Sequence, residues 1–166
     1  MSFFLRMREL MAGMKLEKRK QTDIAFISHV GPHDKVPWGE YIEKLYGWAK
    51  SNKVMPGFYP MAIYPDDPRK TPPDKVRTEI ALPFKGKARP TAEIKVKRLP
   101  EMRVATISHK GPGSEYVNTY AKLTRWIEEK GLEVTGPPIE IFSKKPEVIK
   151  GVQILYSKVI IPVAKK

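Results

Sequence analysis

The stretch Ile24-Ala25-Phe26-Ile27-Ser28-His29-Val30-Gly31-Pro32 returns as Val104-Ala105-Thr106-Ile107-Ser108-His109-Lys110-Gly111-Pro112, at an offset of 80. Each copy reads as a strand closed by Gly-Pro, because proline cannot donate to a β-ladder and glycine supplies the turn. Solenoid and propeller repeats recur every ~20–50 residues. A spacing this long therefore marks one domain built from two copies of the same half. Such a duplication sets a pseudo-two-fold seam between the halves, and small-molecule pockets tend to form at junctions of this kind.

Outward from the two copies the match continues. Upstream, Met14-Lys15-Leu16-Glu17-Lys18-Arg19 aligns with Ile94-Lys95-Val96-Lys97-Arg98-Leu99, and each reads as a strand. Downstream, Trp38, Tyr41, Ile42, Leu45, Trp48 and Ala49 form one apolar stripe, which predicts a helix over residues 36–51. Tyr116, Val117, Tyr120, Leu123 and Ile127 form the same stripe in the second half, with Ser114 as the expected N-cap and Gly131 as the expected C′ residue. Trp48 and Trp126 align here at an offset of 78.

Two further strands close each half. Pro60-Met61-Ala62-Ile63-Tyr64 matches Pro138-Ile139-Glu140-Ile141-Phe142, and Arg77-Thr78-Glu79-Ile80-Ala81-Leu82-Pro83 matches Tyr156-Ser157-Lys158-Val159-Ile160-Ile161-Pro162. The expected fold is α+β, a tandem βαββ duplication with halves 14–85 and 92–166 and a Gly/Lys/Pro-rich linker over 86–91. Residues 1–13 lie outside the duplication and read as an N-terminal extension with a candidate short helix.

Composition narrows the function classes. The 166 residues fit one domain, large enough to bury a core without a metal or disulfide. Cysteine is absent, which removes thiolate catalysis and zinc clusters and suits a reducing cytoplasm, so a cytoplasmic location is expected. No apolar run approaches the ~20 residues of a membrane span. Arg6, Arg8 and Glu9 interrupt any signal-like core near the N-terminus. The net charge of +13 raises the question of a nucleic-acid or acidic protein partner. The basic residues are spread along the chain, however, and no zinc finger, RNP motif or basic helix accompanies them. A solvated basic surface is the leading reading, with nucleic acid not expected and an acidic protein partner as a secondary expectation.

Taken in order, the Gly-Pro strand, the helix with Trp38 and Trp48, Ile63-Tyr64 before Pro65-Asp66-Asp67-Pro68, and the final Val159-Ile160-Ile161-Pro162-Val163 resemble the GyrI-like small-molecule-binding domain, or AraC-type effector-binding domain, over residues 14–166. The resemblance implies two SHS2-like βαββ modules with an antiparallel sheet and a hydrophobic ligand, often cationic and aromatic, in a groove at their seam. It implies a stand-alone binder, since the chain has no room for a helix-turn-helix module. Some stand-alone relatives are hydrolases of strained cyclopropane-containing compounds that work with a Glu and an aromatic residue. The resemblance also implies an acidic residue in a Thr-Glu-type pair on the last strand. Here that pair is Ser157-Lys158, while Thr78-Glu79 keeps the carboxylate in the first half.

The candidate site residues follow. Glu79 interrupts an apolar strand and has small Ala81 as its same-face neighbour, which leaves space beside a carboxylate. Tyr64 and Tyr41 are the first aromatic candidates, then Trp38 and Phe142, because Tyr and Trp offer rigid area and a face that attracts cations. Tyr156 and Lys158 share a strand face and complete the set. His29 and His109 recur at equivalent places and, like Ser28 and Ser108, read as parts of the fold. Asp66-Asp67 reads as a turn. No metal cluster or cofactor motif is evident, and none is expected. The leading expectation is a sensor or scavenger of hydrophobic, aromatic small molecules. The alternatives are a hydrolase with Glu79 as general base and a basic protein-interaction module.

Overall fold

The computed structural model describes residues 2–4 and 13–166, so most of the extension read over 1–13 lies outside the described residues. The chain divides into two compact units. One comprises Lys20–Glu101; the other joins Met102–Lys166 to the N-terminal segment ending at Arg19.

In the Lys20–Glu101 unit, β2 (Thr22–Val30) pairs antiparallel with both β5 (Arg77–Lys85) and β6 (Lys95–Leu99). The short β3 (Met55–Pro56) and β4 (Met61–Ile63) both add to β5. Gly31 follows β2 at φ 133, a conformation that favours glycine, and its N–H donates to Val76 O at 2.8 Å. Helix α1 (Trp38–Asn52) starts later than its stripe predicts, because the Pro37 ring disfavours helical backbone at Val36, which is extended at φ −68, ψ 121. It ends on Lys53 in the left-handed region, φ 55. Ile80, Leu82 and Phe84 of β5 and Ala25 and Ile27 of β2 form a core with Leu45, Trp48 and Ala49 of α1. Trp48 Nε1 donates to Arg89 O at 2.8 Å, and Arg89 N–H donates to Asn52 Oδ1 at 2.9 Å, so the expected linker is tied to the end of α1.

The other unit repeats the order of elements. There β7 (Met102–Gly111) pairs with β1 (Lys15–Arg19) and β10 (Val152–Lys165), while β9 (Ile139–Ile149) and β8 (Leu132–Val134) pair with β10. Helix α2 (Tyr116–Glu129) closes a core of Ala105, Ile107, Leu123, Trp126, Ile127, Val159, Ile161 and Val163. Ser114 is not the N-cap; it lies in a 3-10 turn, Gly113–Glu115, which moves the cap position to Glu115. Gly131 does end the helix in the left-handed region, φ 69, with its N–H on Glu128 O at 3.0 Å. Trp48 and Trp126 are each 5 % exposed, one in the core of each unit.

The units therefore differ from the sequence halves in one respect. The first strand of each half pairs outside that half: β1 joins β7 and β6 joins β2. The sequence match located these strands without revealing their partners, since a repeat shows equivalence and not pairing.

Candidate functional site

In the unit containing α2, the strand β9 alternates about Ile139, Glu140, Ile141 and Phe142. Glu140 lies opposite Val159 and Phe142 opposite Ser157. Val159 belongs to the core under α2, so Glu140 and Phe142 share the helix side of the sheet. Glu140 is a carboxylate only 6 % exposed. Burial of such a charge is costly unless it is hydrogen-bonded, and Tyr120 Oη donates to its Oε2 at 2.6 Å.

One turn earlier on α2, the Tyr116 hydroxyl shares a 2.7 Å hydrogen bond with Ser157 Oγ. The Tyr116 ring stacks on His109, with centroids 3.8 Å apart and planes within 11°. His109 Nδ1 lies 2.7 Å from Thr119 Oγ1 and its Nε2 lies 3.3 Å from Gly111 O. A carbonyl only accepts, so a neutral ring protonated on Nε2 can donate there and accept from Thr119. The pair of histidines was read as part of the fold; His109 does support α2, and it also backs an aromatic ring beside a buried carboxylate.

Burial pushes both phenols up, and the negative charge of Glu140 pushes them further. Tyr116 is raised to about 12, the Ser157 hydrogen bond partly opposing the shift, and Tyr120 is raised further. Both hydroxyls therefore stay protonated donors at neutral pH. The arrangement is a desolvated carboxylate flanked by tyrosines, chemistry suited to an aromatic cation.

The residues expected from sequence divide among different faces. In the Lys20–Glu101 unit, Trp38 and Tyr41 pack on the helix-side core. Tyr64 sets its ring edge-on to His33 at 5.1 Å, and His33 Nδ1 lies 2.9 Å from Thr78 Oγ1. Glu79 alternates with the core residue Ile80 and so lies on the opposite sheet face from Trp38 and Tyr41. Its carboxylate pairs with Lys97 Nζ at 2.5 Å, and that ammonium also lies 4.5 Å from the centroid of Phe26.

In the other unit, Phe142 joins the Glu140 group, whereas Tyr156 and Lys158 lie on the sheet face away from α2. Tyr156 has Lys110 and Lys144 Nζ at 5.8 and 4.8 Å from its ring centroid. Lys158 donates to both carboxylate oxygens of Glu17, at 2.9 and 2.7 Å. Burial alone would raise the Glu17 carboxyl, but hydrogen bonds from Lys158 and Lys15 bring it below its ordinary value.

Sequence reasoning did not single out Glu140 or Glu17, and it placed Tyr116 and Tyr120 on the helix stripe without choosing them for the site. The signal was the repeat itself: Glu140 aligns with Ala62, a carboxylate in one half against a methyl in the other. Among the described residues no group of three or more His, Cys, Asp or Glu could hold a metal ion, and no helix is long and apolar enough to cross a membrane.

No curated protein matches the chain in sequence. Among solved structures, the C-terminal domain of EcmrR superposes with a TM-score of 0.71 at 18 % identity, over 92 % of this chain and 98 % of that one. EcmrR in a DNA complex gives 0.74 at 18 % identity over 98 % of this chain, which spans 63 % of that longer chain. A hydrolase encoded by lin2189 from Listeria innocua gives 0.66 at 12 % identity, over 97 % and 98 % of the two chains. SAV2435, solved bound to tetraphenylphosphonium, gives 0.56 at 10 % identity, over 91 % and 93 %. These likenesses share the α+β fold. The family profile goes further: the GyrI-like small molecule binding domain matches residues 14–164, and the chain belongs to that family.

Proposed function

We propose that this small-molecule-binding domain takes an aromatic ligand carrying positive charge, and that Glu140 with Tyr116 and Tyr120 forms the charge-recognising part of its site. The carrying observation is the Glu140 carboxylate, 6 % exposed and held by Tyr120 at 2.6 Å. A buried anion among aromatic rings discriminates by charge, because a neutral ligand cannot offset its desolvation. The tetraphenylphosphonium bound to SAV2435 is a ligand of that chemistry.

Calorimetric titration tests the reading. Tetraphenylphosphonium should bind measurably more tightly than neutral triphenylphosphine oxide, and more tightly than an anionic aromatic sulfonate. Equal affinity for all three would defeat it.

A hydrolytic reading has one supporting observation, the hydrolase fold of the Listeria innocua neighbour. On that reading Glu140 is better placed than Glu79 to act as a general base, since the Glu79 carboxylate is taken up by Lys97. Recovery of every bound compound unchanged, followed by mass spectrometry, would leave binding as the activity.

A further inference from the structure

The first strands of the two halves are exchanged, although a simpler arrangement is within reach. Only Lys20 and Gln21 separate β1 from β2, and only Pro100 and Glu101 separate β6 from β7. Folding each first strand back on its own neighbour would make two hairpins.

The registers of the two arrangements are interchangeable. Lys97 stands opposite Ile24 and Glu17 stands opposite Val104, and these positions are related by the repeat offset of 80. If β1 took the place of β6, Arg19 would face Thr22 across a two-residue turn. If β6 took the place of β1, Leu99 would face Met102 in the same way. Backbone strand pairing and the apolar alternation do not tell the two arrangements apart.

The charges do. Glu79 of β5 is paired with Lys97 of β6 across the intervening β2, and Lys158 of β10 is paired with Glu17 of β1 across the intervening β7. The polarity of the pair is reversed between units, on side chains 13–37 % exposed. In the hairpin arrangement Glu17 would face Glu79 across β2, and Lys97 would face Lys158 across β7. Both contacts would become like-charge contacts in partly desolvated places, where repulsion is stronger than in water. The ladder position facing Asp23 does not discriminate. Arg98 Nε meets Asp23 Oδ1 at 2.8 Å in the exchanged form, and Lys18 would face Asp23 in the hairpin form.

A second observation points the same way. Two-residue hairpins use type I′ or II′ turns, which need positive φ at the first central residue. Pro100 is fixed near −65° and cannot supply it, and Lys20-Gln21 carries neither Gly nor Asn.

We propose that the reversed polarity of Glu79–Lys97 and Lys158–Glu17 is a pairing code that selects the exchanged first strands over the two hairpins.

The absence of cysteine makes the pairing directly readable by engineered disulfides. Lys18 faces Arg103 in the exchanged form and would face Asp23 in the hairpin. Residues directly opposite in an antiparallel pair lie within disulfide reach. In the otherwise native chain, K18C/R103C should cross-link and K18C/D23C should not, as mapped by peptide mass spectrometry. Adding E17K and K97E makes both hairpin contacts attractive and both exchanged contacts repulsive. The yield ratio of the two cross-links should then shift by about ten-fold or more toward K18C/D23C, or the chain should fail to fold. Adding E79K and K158E as well restores opposite charges in the exchanged form, and should restore folding with the K18C/R103C cross-link. The proposal is overturned if E17K/K97E folds with an unchanged cross-link ratio. It is equally overturned if the fourfold reversal rescues neither folding nor the cross-link.

Discussion

Replacing Glu140 by Gln removes a charge while keeping shape, and so isolates what the carboxylate does. The Tyr120 hydroxyl, which donates at 2.6 Å, can donate to the amide oxygen instead, so the local packing survives. What is lost is a negative charge 6 % exposed. Coulomb attraction between a carboxylate and a cation held roughly 6–10 Å away, at an effective dielectric constant of about 20, contributes roughly 1.5–3 kcal/mol. That range corresponds to about ten-fold to one-hundred-fold in dissociation constant. The assay is a titration of wild type and E140Q with tetraphenylphosphonium and with triphenylphosphine oxide, alongside a thermal melt. The variant should melt close to wild type, bind the cation at least about ten-fold more weakly, and bind the neutral compound almost unchanged. E79Q serves as the comparison, because its charge is already matched by Lys97 at 2.5 Å. It should change cation affinity much less than E140Q does. If E140Q melts normally and loses no selectivity for the cation, the buried carboxylate serves the fold alone. If E79Q proves the more damaging of the two, the site lies on the opposite sheet face.

Four further outcomes are expected. Leu123→Ala and Leu45→Ala, both at side chains 0 % exposed, should each lower stability by about 2–5 kcal/mol in denaturant titrations. Lys53→Gly should raise stability by about 0.5–1 kcal/mol, since Lys53 holds φ 55 where the aligned residue Gly131 holds φ 69; Gly131→Ala should lower it on the same scale, both read from denaturant midpoints. Asp66 accepts from Arg77 N–H, Nε and Nη2, which holds its carboxyl at about 2 against the ordinary 3.8. A depressed folded value stabilises above the ordinary pKa and is lost as pH falls toward about 2, so the melting curves of wild type and D66N should differ at neutral pH and converge in acid. Tyr120→Phe should weaken cation binding less than E140Q while lowering stability by about 1–3 kcal/mol, because it leaves a buried carboxylate without its phenol donor.

The elements of this fold were legible because their patterns are local. The stripe Trp38, Tyr41, Leu45, Trp48 and its counterpart on α2 repeat at helical spacing, and each is anchored by a tryptophan buried in its own core. The stripe sets the α1 start two residues early because it does not register that Pro37 holds the preceding Val36 extended. The Ser114 cap was misread because a 3-10 turn competes with the first helical turn for the same residues.

The site was harder to read, for a different reason. Glu79 drew attention as a charge on an apolar strand, yet a strand position shows only which face a side chain takes, and that face also carries Lys97. The position of Lys97 relative to Glu79 depends on β6 pairing with β2, a long-range choice that alternation within either strand cannot encode. Lys158 was read as an exception to the family's acidic position for the same reason: its partner Glu17 lies 141 residues away. Aligning the halves on charge as well as hydrophobicity removes the anomaly. Glu17 against Lys97, and Glu79 against Lys158, are two reversals that are each unexplained alone and mutually compensating together. On the β10 and β5 ladders Glu140 against Ala62 meets no compensating reversal: Val159 faces Glu140 and Ile80 faces Ala62, both apolar. In a duplicated domain, a paired reversal belongs to the architecture and an uncompensated one marks where the two halves have taken different work. By that criterion Glu140, which faces apolar Val159 on β10, is the carboxylate we propose for the ligand.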